Sequence, residues 1–139
     1  MLDTEDYFAQ QNDGTIWYFG ESSKQLENGD IGGVEGSFLS SVDGAKPGIL
    51  MKAAPKVGDV YRQEFALGVA EDAAEVLSTT GTESVPGASC NGTCLVTHDF
   101  SPLEPDANEQ KFYAPGIGDI LEIDVAAGGI RLELVSVTH

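Results

Sequence analysis

Apolar residues recur along this chain in short runs with a period of two, and helical spacing is scarce. The clearest run is Ile130–Val137. Ile130, Leu132 and Leu134 face one way, and Arg131, Glu133, Val135 and Val137 the other, as on a pleated strand. Tyr7–Gln11 and Thr15–Gly20 are aromatic-rich runs joined by Asn12-Asp13-Gly14, which predicts a hairpin. Asn28-Gly29-Asp30 predicts a second one, between Gln25–Glu27 and Ile31–Phe38. Asp43-Gly44 and Pro47-Gly48 frame a predicted loop before a short strand at Ile49–Lys52. Val57–Phe65 alternates around Val57, Val60 and Phe65. Val85-Pro86-Gly87-Ala88 reads as a turn, Cys94–Phe100 as a strand, and Ser101–Pro105, with two prolines, as a loop or edge. Glu109–Ala114 and Ile120–Val125 are predicted strands around Pro115-Gly116-Ile117-Gly118.

Val69–Leu77 fits two patterns. Val69, Ala73, Val76 and Leu77 share a helical face, but Thr79, Thr80 and Thr82 beyond them favour a strand. The reading adopted is a loop or single turn at Glu71–Ala74 and then a strand. The sum is an all-β chain of about ten short antiparallel strands, curled into a barrel, half-barrel or sandwich. At 139 residues it is read as a single domain spanning 1–139.

Charge narrows the partners. Seven basic residues against 23 acidic ones leave a net charge of −16. Such a surface repels nucleic-acid phosphates and anionic lipid, so no nucleic acid is expected as a partner. No apolar run reaches the roughly 18–20 residues of a membrane-spanning helix. The phosphate-loop, dinucleotide and haem signatures are also missing from the sequence.

The chain has two cysteines, Cys90 and Cys94, flanking Asn91-Gly92-Thr93. Asn-Gly predicts a tight hairpin turn there, and cysteines facing across it reach disulfide distance. A zinc site would need two more ligands, and only His98 is near. Asn91-Gly92-Thr93 also fits a short glycosylation sequon. Met1 runs straight into the acidic segment Asp3–Asp6 with no signal-peptide pattern. That suits either a cytosolic chain or a mature or truncated segment, and a disulfide favours an oxidising compartment.

Several segments carry a resemblance: Asp6-Tyr7-Phe8-Ala9-Gln10 with Asp13-Gly14, Trp17-Tyr18-Phe19-Gly20-Glu21, and Val42-Asp43-Gly44-Ala45-Lys46-Pro47-Gly48. Tyr61-Arg62-Gln63-Glu64, Ala70–Val76, Pro102-Leu103-Glu104-Pro105 and Tyr113-Ala114-Pro115-Gly116-Ile117-Gly118 continue it. Together they resemble a family of exported bacterial proteins of unassigned function, and the last motif is similar to one in envelope lipoprotein-like half-barrels. The resemblance implies an antiparallel β fold and a periplasmic or extracellular origin, with no named activity. Longer members of that family carry extra strands ahead of this segment, which implies an exposed sheet edge and a homo-oligomer paired through it. The sequence departs from the family pattern at His98-Asp99-Phe100.

Candidate chemistry rests on carboxylates. Glu71, Asp72 and Glu75 lie close in sequence, and a hairpin would bring Glu64 beside them. Clustered carboxylates repel unless a cation or protons neutralise them, and oxygen-only sets suit calcium or another divalent metal. Glu64, Glu71 and Asp72 are the expected ligands, with Glu75 and Glu109 as ligand or catalytic base. Glu104, Asp106 and Glu109 form a second acidic set. Both sets read equally as solvated loops in so acidic a chain. The Asp13-Gly14 and Asn28-Gly29-Asp30 turns lack the spacing of a calcium loop. His98 and Asp99 are neighbours on a strand and so point to opposite faces, and the terminal His139 reads as a mobile end. Trp17, Tyr61 and Tyr113 are either packing residues or the lining of a pocket for an apolar small molecule. The expected function is a calcium-binding β domain, with metal-assisted hydrolysis of activated phosphate, sulfate or carboxylic esters as its extension. The alternative is a non-catalytic exported domain that binds an apolar small molecule or an envelope partner.

Overall fold

The computed structural model describes residues 2–138. Twelve strands and no helix are present among the described residues. They form two six-stranded sheets whose neighbouring strands run antiparallel wherever register is defined. The chain divides into two units, Met1–Ala54 with Arg62–Ala73, and Pro55–Tyr61 with Ala74–His139.

The first unit holds β1 (Leu2–Gln10), β2 (Ile16–Glu27), β3 (Asp30–Gly33), β4 (Phe38–Leu39), β5 (Lys46–Met51) and β7 (Glu64–Phe65). Its order is β1-β2-β5-β7, with β3 and β4 added along β2. Both sequence-predicted hairpins form here. In the second, Glu27 pairs with Asp30 across Asn28 and Gly29, whose φ values of 54° and 93° suit a two-residue turn. In β2, Phe19 is an extra residue, because Tyr7 pairs with Gly20 while Phe8 pairs with Tyr18. Tyr18 meets Phe8 in a tilted contact at 4.8 Å and Phe38 edge to face at 5.4 Å between ring centroids. Tyr18 and Phe38 join Ala45, Ala66 and Ala70 in the core of this unit.

Pro47-Gly48 does not belong to a loop, as its composition suggested, but to the interior of β5. A Cβ on Gly48 would stand 1.9 Å from the Gln63 carbonyl oxygen. Glycine is therefore there for backbone approach, a use that sequence does not distinguish from a turn.

The second sheet, in the second unit but for Arg62 and Ala73, holds β6 (Val60–Arg62), β8 (Ala73–Val85), β9 (Ala88–Phe100), β10 (Glu109–Ala114), β11 (Gly118–Asp124) and β12 (Ile130–Glu133), in the order β12-β11-β10-β9-β8-β6. The Val57–Phe65 run is thus split, with β6 in one sheet and β7 in the other. Neither strand order returns to its start, so neither sheet is a closed barrel. The apolar face of this sheet buries Val85, Cys90, Cys94, Val96, Ala114, Ile120 and Leu121.

The strands are more numerous and some much longer than expected. β8 and β9 each run for 13 residues. Asn91-Gly92-Thr93 is not a hairpin turn but lies within β9. The reversal is made earlier, at Pro86-Gly87, and Gly92 with φ 68° is held inside the strand by its N–H bond to Thr82 Oγ1 at 2.8 Å. Cys90 and Cys94 are nonetheless disulfide-bonded, with Cα atoms 5.5 Å apart.

Candidate functional site

In the second unit, β9, β10 and β11 build a charged face opposite their apolar one. Alternation along β10 sends Glu109, Lys111 and Tyr113 to one side and Phe112 to the other. Register sets Asp99 across from Glu109, Thr97 across from Lys111, and Glu122 on the far side of Lys111. A bulge completes the set. Phe112 pairs with Leu121 but Tyr113 pairs with Asp119, leaving Ile120 as the extra residue. The shift reverses the side-chain parity of β11, so Asp119 joins Glu122 while Ile120 and Leu121 both enter the apolar core.

The Lys111 ammonium is the hub. It lies 3.6 Å from Glu122, 3.7 Å from Asp99 and 3.8 Å from Glu109. Burial works against its charge, but Glu122, Asp99 and Glu109 outweigh burial and hold its pKa above the ordinary lysine value. Asp99 is 4% exposed, and its Oδ1 accepts the hydroxyl of Thr97, which is fully buried, at 2.5 Å. Asp119 is pushed up to about 8, first by burial and then by the neighbouring Glu122, with Lys111 pulling the other way. Its Oδ1 accepts the Leu121 N–H at 3.1 Å. Tyr113 and Tyr61 are both buried, and burial followed by the charge of Asp99 raises each phenol. The result is a proton-holding, charge-compensated patch in which a lysine sits among the carboxylates.

The acids expected to gather as metal ligands are only partly brought together. Glu64 is buried and its Oε2 accepts the Asp72 N–H at 3.2 Å. The Asp72 carbonyl in turn accepts the N–H groups of Gln63 and Glu64. Glu64 and Asp72 therefore do come side by side, through backbone rather than through paired carboxylates. Glu71 accepts the Gly68 N–H at 2.8 Å and lies 3.4 Å from the Arg62 guanidinium. Glu75 sits in β8, in the other unit. Among the described residues, no group of three or more His, Cys, Asp or Glu side chains is arranged to hold a metal ion.

The second acidic set shares a groove without gathering into a ligand group. Glu104, Asp106 and Glu109 line an open groove with Asn108, Asp124 and Ala127. Of the aromatic trio, Trp17 belongs to the first unit, where its indole N–H donates to Gln11 Oε1 at 2.8 Å. Tyr61 and Tyr113 belong to the second. His98 packs on Phe100 at 5.4 Å, while Asp99 turns to Thr97 and Lys111. His139 lies outside the described residues.

Sequence reasoning singled out Glu109, as a ligand or base, and did not single out Lys111, Asp119 or Glu122. The alternation Glu109, Lys111, Tyr113 was visible, but neither the register against Asp99 nor the bulge was.

A different feature marks the first unit. β1 pairs with β2 and with no other strand among the described residues. Every residue from Asp3 to Gln10 is exposed, including Tyr7 and Phe8 at 44% and 47%. Asp6 and Phe8 lean on Tyr18, with Asp6 Oδ1 accepting the Tyr18 hydroxyl at 2.6 Å. Asp3, Glu5 and Tyr7 take the opposite face by alternation.

No family model matches the chain, and no curated protein or solved structure matches it. No helix among the described residues is long and apolar enough to cross a membrane.

Proposed function

We propose that this protein is a non-catalytic, exported β-rich binding domain that takes an extended segment of an envelope or secreted partner along the edge of β1. The observation that carries this reading is that edge: nine residues, one neighbour, and side chains exposed from Asp3 to Gln10. A strand edge offers a row of main-chain donors and acceptors, and an extended peptide adds to it as a further strand. Its side chains set the preference. Asp3, Glu5 and Asp6 call for lysine or arginine, and Tyr7 and Phe8 for apolar contact. A second copy is the poorer partner, since each chain carries −16 and brings the same acidic edge. The Cys90–Cys94 disulfide supports an oxidising, extracytoplasmic setting.

The test is titration of the protein with extended peptides that alternate basic and apolar residues, followed by amide exchange of β1. Saturable binding with slowed exchange in β1, weakened by Glu5→Lys, is expected. Equal binding of charge-reversed peptides, or a chain that pairs with itself at the same edge, overturns the reading.

A second reading starts from the open groove that Glu104, Asp106, Glu109 and Asp124 share, although no three of these acids are gathered to hold an ion as they stand. It is calcium or other divalent-cation binding, with metal-assisted ester hydrolysis as its extension. A ligand that binds only the folded state raises stability by about 2.7 kcal/mol at a hundredfold excess over Kd. Melts in EDTA and with calcium, magnesium, manganese or zinc restored test it, and Asp106→Asn should abolish any calcium-selective rise.

A further inference from the structure

The chain has four asparagines, and two of them, Asn28 and Asn91, precede glycine. In an Asn-Gly pair the glycine nitrogen is unusually free to attack the asparagine side chain, because no Cβ shields it. The N–Cγ bond forms and the Cγ–Nδ2 bond breaks. Nδ2 departs as ammonia with the proton lost from the amide. Water then opens the cyclic imide to an aspartyl or isoaspartyl residue. The step needs a glycine amide that can shed its proton and swing toward the side chain.

The two pairs differ on that requirement. Both glycines stand in open space, with nothing within 4 Å of where a Cβ would be, so access of water does not separate them. The N–H of Gly92 is committed to Thr82 Oγ1 at 2.8 Å. Asn91, though exposed, also lies within the small ring closed by the bond between Cys90 and Cys94, whose side chains are buried. Gly29 sits outside any strand, in the exposed turn between β2 and β3, and no hydrogen bond holds its N–H among the described residues. We propose that Asn28 is a site of spontaneous deamidation in this protein, and that Asn91 is protected by the Gly92–Thr82 hydrogen bond within the disulfide ring. Conversion at position 28 adds a negative charge between Glu27 and Asp30, which already pair across the turn.

The experiment is incubation of the oxidised protein at mildly alkaline pH, with peptide mapping for the amide-to-acid mass gain and for isoaspartate. Position 28 should convert on the order of tenfold faster than position 91, the factor that corresponds to about 1.4 kcal/mol for opening one hydrogen bond. Thr82→Val keeps the side-chain shape and removes the acceptor, so it should raise the rate at position 91 and leave position 28 unchanged. Reduction of the disulfide should raise position 91 as well. Equal or faster conversion at position 91 in the oxidised protein overturns the proposal. So does a position-91 rate that neither Thr82→Val nor reduction changes.

Discussion

The Lys111 ammonium lies 3.7 Å from the carboxylate of Asp99, a side chain that is 4% exposed. An ion pair this deep is a poor source of net stability, because both groups surrender water to make it. It is a large liability if halved. Lys111→Met should therefore destabilise the second unit by about 3 kcal/mol, since Asp99, Glu109 and Glu122 then share no cation. Urea unfolding of the variant measures this. A loss below about 0.5 kcal/mol would place the network with ordinary surface pairs.

Asp119 gives a pH dependence with a definite sign. Its carboxyl is raised from 3.8 to about 8 by burial and by Glu122, so the folded state keeps a proton that the unfolded chain releases. Stability from this group is complete below the unfolded value and is lost as pH rises through the folded one. The slope from one such proton is at most about 1.4 kcal/mol per pH unit. Asp119→Asn keeps an oxygen for the Leu121 N–H and removes the charge. Its stability relative to the parent should grow steadily between pH 5 and pH 8, within the interval set by the 3.8 and about 8 values. Thermal melts of the two proteins across that interval are the check.

Gly48→Ala should be among the most damaging single substitutions in the first unit. The added Cβ would stand 1.9 Å from the Gln63 carbonyl oxygen, and backbone on both sides cannot yield as a side chain would. A loss of about 3 kcal/mol or more is expected. Gly44→Ala is the control for a different cost, because nothing lies within 4 Å there and only its φ of 83° is strained. Paired melts should rank Gly48→Ala well below Gly44→Ala.

Opening the Cys90–Cys94 bond should cost modestly. The ring it closes is short, with a sequence separation of 4, so chain entropy assigns it about 2 kcal/mol. Both sulfurs sit in the apolar core of the second unit, so Cys90→Ala with Cys94→Ala tests the bond with less polar disturbance than serine. The double variant should stay folded with a lowered Tm. Complete unfolding would show that the disulfide carries more than its ring size implies.

Local signals in the sequence served the fold well, and long-range ones did not. Asn12-Asp13-Gly14, Asn28-Gly29 and Pro86-Gly87 all mark reversals, because their backbone geometry is decided within a few residues. Glu109–Ala114 has the strand bounds that alternation indicated. Asn91-Gly92 failed because the same dipeptide also fits a kink inside a strand, and the choice was made by Thr82, nine residues before Asn91. The charged patch shows the same limit. Glu109 was singled out for its place beside other acids, whereas its partners Asp99, Lys111 and Glu122 are set by register across three strands. Asp119 was beyond reach altogether, since its face depends on a bulge.

That bulge decides which residues of β11 meet salt and which meet oil. Ile120 is the extra residue, so deleting it would leave Asp119 across from Tyr113 on the charged side and would cost the core one side chain. A ladder that kept Ile120 and lost the bulge would instead set Ile120 across from Tyr113 and Asp119 across from Ala114, with the carboxyl facing the side where Val96, Ala114 and Leu121 are buried. The hairpin can therefore bear a shorter β11 better than a straighter one.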